Sequence, residues 1–161
     1  MRSILISLLL LGSLVSAEDT RFKSIQFLFG KWKGKGGGAS VGEGQGSYSY
    51  TPDLNNNVVI RRNFAEYPTG PRHDDLMIVY AEGPSTNALR AIYFDSEGHV
   101  IHYTLTTPAP TKVVFESDKT QPGPRYRLTY VLEGRELTGK FDVAAPGGEF
   151  KNYLSWTSVR E

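Results

Sequence analysis

Two patterns of apolar and polar residues divide the chain. Residues 4–14 form a nearly unbroken apolar run, whereas from residue 31 onward apolar and polar positions alternate in short bursts, the period-two signature of strands buried on one face. Between them, Phe22, Ile25 and Phe29 recur at helical spacing; Asp19 or Thr20 is placed to cap that helix and Gly30 to stop it. The alternating part predicts ten strands, over residues 31–36, 44–51, 58–67, 76–82, 88–94, 100–107, 112–118, 125–133, 136–143 and 149–159. Turn-forming residues separate most of them: Asp53 with Asn55-Asn56-Asn57, Gly83-Pro84, Asp95-Ser96-Glu97-Gly98, Pro108 to Pro110, Pro122-Gly123-Pro124, Gly134-Arg135 and Pro146-Gly147-Gly148. Such short connections predict sequential antiparallel neighbours, without a domain linker or internal repeat.

The hairpin at Gly134-Arg135 predicts its own register. With a two-residue turn, Leu132 faces Leu137, Tyr130 faces Gly139 and Leu128 faces Phe141, while Val131, Thr129 and Arg127 face Thr138, Lys140 and Asp142 on the polar side. Arg127 and Asp142 then make an exposed ion pair of little energetic weight. A sheet apolar on one face closes into a barrel or packs as a sandwich, and the meander of short turns favours the barrel. The expected fold is all-β: an up-and-down antiparallel barrel of about ten strands with one short N-terminal helix. Ten strands enclose more space than eight, and nine Tyr, eight Phe and two Trp suit either a filled interior or the walls of a cavity.

The amino-terminal run changes where such a barrel would work. Met1-Arg2-Ser3, the apolar stretch and Val15-Ser16-Ala17 have the charge, length and small-residue ending of a secretory signal peptide, with cleavage near Ala17. Residues 18–161 are then one barrel domain without a membrane span, and the expected location is periplasmic or secreted. The chain has no cysteine, so its stability must come from packing rather than disulfides. Without Arg2, 17 basic residues balance 17 acidic ones, and no like-charge block marks a nucleic-acid or anionic-lipid partner.

Candidate chemistry is sparse. In Arg61-Arg62-Asn63, alternation sends one arginine inward whichever face is buried, and a buried guanidinium needs a partner. His99 and His102, three apart, point to opposite faces of a strand and cannot chelate together. His99 reads as a turn residue. If the hairpin closes through Asp95 to Gly98, His102 shares a face with Leu89, Ala91, Tyr93, Val100 and Thr104. His73-Asp74-Asp75 is the densest polar cluster, read mainly as a hydrophilic loop, with a divalent-ion or acid–base role as the sharper alternative. The glycines from Gly34 to Gly46 lack the following helix of a phosphate loop and fit a curved first hairpin or a mouth loop.

The short helix leading into Gly30-Lys31-Trp32, the meander, and a last strand ending in Arg160 resemble the calycin superfamily of lipocalins and fatty-acid-binding proteins. Within it, the ten strands and Gly30-x-Trp32-x-Gly34-x-Gly36 are most similar to nitrobindin-like proteins and to exported bacterial proteins of lipocalin-like type. The resemblance implies that Gly30, Trp32 and Arg160 are structural, with the tryptophan packed near the arginine at the helix-covered end. It also implies, by analogy with fatty-acid-binding proteins, that Arg62 with Tyr93 or Tyr126 holds a ligand carboxylate; a structural ion pair with a glutamate or aspartate of the barrel is the equal alternative for the arginine. His102, read first as a satisfied structural histidine, is the further ligand-contact candidate. Nitrobindin-like proteins ligate haem through a histidine on a late strand, and this chain has none after His102. Tyr153 offers only a ferric-haem alternative. The expectation is therefore an exported, non-catalytic binding protein for a small hydrophobic or amphipathic molecule, with no cofactor, no metal and no catalytic residue assigned. A haem protein or a small barrel enzyme is the second reading.

Overall fold

A computed structural model describes residues 20–83, 88–119 and 123–161. The signal-peptide reading, Asp19, Pro84 and Pro122 lie outside the described residues. Ten antiparallel strands follow a 3₁₀ helix, Lys23–Leu28: β1 Gly30–Gly38, β2 Gly42–Asp53, β3 Val58–Glu66, β4 His73–Ala81, β5 Leu89–Asp95, β6 Val100–Ala109, β7 Lys112–Ser117, β8 Arg125–Glu133, β9 Glu136–Ala144 and β10 Lys151–Arg160. Each pairs with its sequence neighbour, and β1 pairs with β10 to close the barrel. Closure satisfies every strand edge.

The helix differs from the expected one in its period. Phe22, Ile25 and Leu28 are buried, a spacing of three that matches the three residues per turn of a 3₁₀ helix, while Phe29 is only half-buried. No side chain caps its start; the Lys23 N–H donates instead to the Thr20 carbonyl at 3.1 Å. This apolar stripe closes one end of the barrel over Trp32, which is 1% exposed and donates its indole N–H to the Leu28 carbonyl at 2.8 Å. Arg160, directly opposite Trp32 across β1 and β10, stacks 4.5 Å from the indole and donates to the carbonyls of Phe27 and Phe29. Gly30, at φ +110°, turns the chain from helix into β1.

The β8–β9 hairpin has the expected register throughout. Arg127, however, donates to Glu116 at 3.1 and 3.2 Å and lies over Phe150, while Asp142 accepts from Asn152. The β5–β6 hairpin is shifted by one residue from expectation: Ile92 pairs with His102 and Tyr93 with Ile101. Its connection includes His99 because the Asp95 carboxylate accepts from the Glu97 and His99 backbone N–H groups and Gly98 adopts φ +90°. One residue of shift exchanges the faces. Ile101 and Tyr103 therefore point inward, and His102 lies half-buried beside Ile92 on the outside. The glycines of β1 and β2 belong to paired strands, so they serve the curvature of the first hairpin.

The helix-covered end and the middle of the interior hold the buried side chains of one core cluster. Trp156, Tyr130, Phe115, Tyr103 and Tyr93 make successive edge-to-face contacts, with ring centroids 5.8–6.4 Å apart. The far end, where β1 and β2 contribute inward glycines instead of side chains, is hollow.

Candidate functional site

At that end the barrel opens into a cavity of about 540 Å³. One wall is bare backbone from Gly34, Gly36, Gly44 and Gly46. The wall from β8, β9 and β10 is aromatic: Tyr126 stacks on Phe141 with centroids 5.8 Å apart, Tyr153 meets Phe141 edge-on, and Trp156 lies deeper. The facing wall is polar, and the strand register explains why. Asn63, Asp75 and Asp95 are consecutive cross-strand partners on β3, β4 and β5, so three polar side chains form one row. Arg61 and Tyr93 sit one step deeper on the same face, and His73 one step nearer the mouth.

This row is tightly connected. Arg61, 4% exposed, forms an ion pair with the Asp75 carboxylate, which also accepts from Asn63 Nδ2 at 2.8 Å. Asp75 Oδ2 lies 3.3 Å from His73 Nε2, and His73 Nδ1 lies 2.9 Å from Glu97. The Tyr93 hydroxyl donates to Asp95 at 3.2 Å and lies 3.1 Å from His73 Nε2; His99 Nδ1 is 2.8 Å from the same Asp95 oxygen.

The charges follow from these contacts. Burial lowers the affinity of Arg61 for its proton, but the Asp75 charge outweighs it and holds the guanidinium cationic. The hydrogen bond to Asp75 is the main reason the His73 pKa rises to about 9, with burial opposing and Glu97 adding to the rise. Burial, reinforced by Asp75, drives the Tyr93 pKa up, so its hydroxyl keeps its proton and donates. Burial would raise the Asp95 pKa as well, but the backbone and ring N–H groups of His99 lower it overall. Asp75, Asp95 and Glu97 thus face two firm cations, Arg61 and His73, and the polar wall carries an acidic surplus.

Of the expected ligand contacts, Tyr93 and Tyr126 line the cavity, on opposite walls. Arg62 does not; it is exposed on the outer surface beside Phe64, Leu76 and Phe94, and the interior arginine is Arg61. The inward alternation on β3 runs Val59, Arg61, Asn63, because Val59 enters the core at 0% exposure. His102 is outside the barrel for the register reason given above. His73-Asp74-Asp75 opens strand β4 instead of lying in a loop, and its two outer members, two residues apart, share the inward face. Sequence reading missed Arg61, Asp75, Asp95 and Glu97 as a group. The spacing of His73 and Asp75 was the available signal.

No family model matches the sequence, and no curated protein sequence matches it. Among solved structures, the crystal structure of Rv2717c from M. tuberculosis is similar in fold: TM-score 0.63 at 13% identity, covering 88% of this chain and 97% of that one. A de novo designed fluorescence-activating β-barrel aligns with a TM-score of 0.43 at 14% identity, over 86% of this chain and 98% of its own.

Proposed function

We propose that this chain is a non-catalytic binding protein that holds a small amphipathic molecule in the open half of a calycin-like barrel. The observation that carries the reading is the division of the cavity: a 540 Å³ hollow with an aromatic wall opposite an acidic one. An apolar body would lie against Tyr126, Phe141 and Trp156, where ring area supplies affinity, and a few placed polar groups would orient the head. The chemistry of the polar wall selects that head. Arg61 is already neutralised by Asp75, so a carboxylate entering along this wall would meet Asp95 and Glu97, with Lys35 on the glycine-rich wall as the other cation lining the cavity. A cationic or hydrogen-bond-donating head complements the same wall. The signal-peptide reading supports a periplasmic or secreted carrier.

Haem fits the residues less well. No histidine follows His102 in the chain, Tyr153 stands at the rim packed on Phe141, and haem carboxylates would face the acidic wall. The test is a titration of the protein with dodecylamine and with dodecanoate, followed by tryptophan fluorescence, alongside native mass spectrometry of protein from its own host. Tighter binding of the amine by about tenfold supports the reading, the equivalent of one favourable polar contact of about 1.4 kcal/mol. Binding of neither chain, or tighter binding of the carboxylate, refutes it.

A further inference from the structure

We propose that His73, Asp95 and Glu97 form a divalent transition-metal site at the cavity rim, where a bound ion would compete with a ligand's cationic head for Asp95 and Glu97. One donor atom from each lies within 4.8 Å of the other two, close enough for a single ion to reach all three. Asp95 and Glu97 belong to one turn at the end of β5, and the pairing of β4 with β5 brings His73 to them. A metal ion held by the two carboxylates would displace the proton from the ligating nitrogen of His73, whose imidazolium otherwise offsets the Glu97 charge.

The surroundings add a second argument. A metal-ligating imidazole normally directs its other ring nitrogen at a carboxylate, which fixes the ring and strengthens the donor. His73 Nδ1 faces Glu97 at 2.9 Å while Nε2 faces Asp75 at 3.3 Å, and Asp75 is itself buried and held by Arg61 and Asn63. The supporting carboxylate is therefore outside the ligand set and already fixed. Asp95 is oriented by the backbone N–H groups of Glu97 and His99. Its second oxygen accepts from the Tyr93 hydroxyl and contacts Nδ1 of His99, an exposed side chain placed to serve as a fourth donor. One imidazole nitrogen with carboxylate oxygens suits zinc, cobalt or manganese; calcium and magnesium favour all-oxygen shells. The protein leaves the cavity side open for water or a ligand group.

The untagged protein, stripped with chelator and dialysed, is titrated with Zn²⁺ by calorimetry and with Co²⁺ by visible absorption. The expected result is one ion per chain and cobalt d–d bands displaced by zinc. Glu97→Gln alters an exposed connection and leaves the fold intact, and it should weaken zinc binding about tenfold or more; Glu136→Gln, at a remote exposed turn, should leave it unchanged. His73→Gln should abolish the cobalt spectrum while circular dichroism stays that of a folded barrel. Absence of stoichiometric binding, or binding indifferent to Glu97→Gln, overturns the site, whatever the outcome with dodecylamine.

Discussion

Replacing Arg61 by Met tests whether the polar row is held by its one deeply buried ion pair. The Arg61 and Asp75 side chains are 5% and 3% exposed, so neither charge can turn to water when the other is removed. Removing one partner of such a pair typically costs about 3–5 kcal/mol, whereas replacing both by apolar residues of similar volume is often neutral. The surroundings order the two single variants. After Arg61→Met, Asp75 keeps Asn63 at 2.8 Å and His73 at 3.3 Å, which places the cost near the lower end, about 3 kcal/mol. After Asp75→Leu, Arg61 keeps the face of Tyr48, 5.5 Å away, and the neutral hydroxyl of Tyr130, with no carboxylate and no hydrogen-bond partner for its Nε, which places the cost near about 5 kcal/mol. The double variant should recover all but about 1 kcal/mol. Urea unfolding followed by circular dichroism measures all three, and the larger single loss should lower Tm by about 10 °C or more. An Arg61→Met cost below about 1 kcal/mol, or a double variant as unstable as the sum of the singles, would show that the pair is not what holds the row.

Three further outcomes are expected. In chelator, wild type should lose its stability advantage over His73→Gln as the solution becomes alkaline: with a folded pKa of about 9 against 6.5, the imidazolium stabilises fully below pH 6.5 and ceases to as pH rises through 9. At 28% side-chain exposure the effect is about 2 kcal/mol after allowance for screening, and a stability difference flat from pH 6 to 10 would contradict it. Arg160→Met should cost about 1–2 kcal/mol and shift Trp32 emission to the red, because two carbonyl contacts and the stacking over the indole are lost together; unchanged emission would remove Arg160 from the barrel closure. Gly139→Val places a side chain where the Trp156 indole lies, so it should cost about 1–3 kcal/mol and weaken dodecylamine binding by displacing that ring into the cavity. Wild-type stability and binding in this variant would place Trp156 elsewhere.

The elements were legible because this chain punctuates itself. Gly134-Arg135 fixed a two-residue turn, and with it the faces of β8 and β9, including the inward Leu128, Tyr130 and Phe141. The β5–β6 connection was misread by one residue because Asp95 binds the His99 backbone as well as that of Glu97, and alternation alone does not show where a capped turn ends. The choice between Arg61 and Arg62 failed for another reason. Ile60, Ile78 and Ile92 are cross-strand partners on the outside of the barrel, so the outer face of β3 is the more apolar one by sequence. Each is half-covered by its neighbours, and none belongs to the core.

The polar site was the least legible part because it exists only after pairing. His73 and Asp75 share a face once β4 begins at His73, but Arg61, Asp95 and Glu97 join them through register across three strands. The hollow beside them has the same origin. Inward positions on β1 and β2 carry Gly34, Gly36, Gly44 and Gly46, where a Cβ would stand 2.1–2.5 Å from atoms of Ser158, Ser155, Glu66 and Phe64, so the glycines let the neighbouring strands approach and put no side chain into the hollow. Filling that space with aliphatic residues would bury the Arg61–Asp75 row against hydrocarbon, where its remaining hydrogen-bonding capacity has no partner. Leaving it open lets water or a ligand's polar group meet those residues. The glycine-rich hairpin and the acidic wall are therefore two halves of one device: the first makes room, and the second makes that room selective.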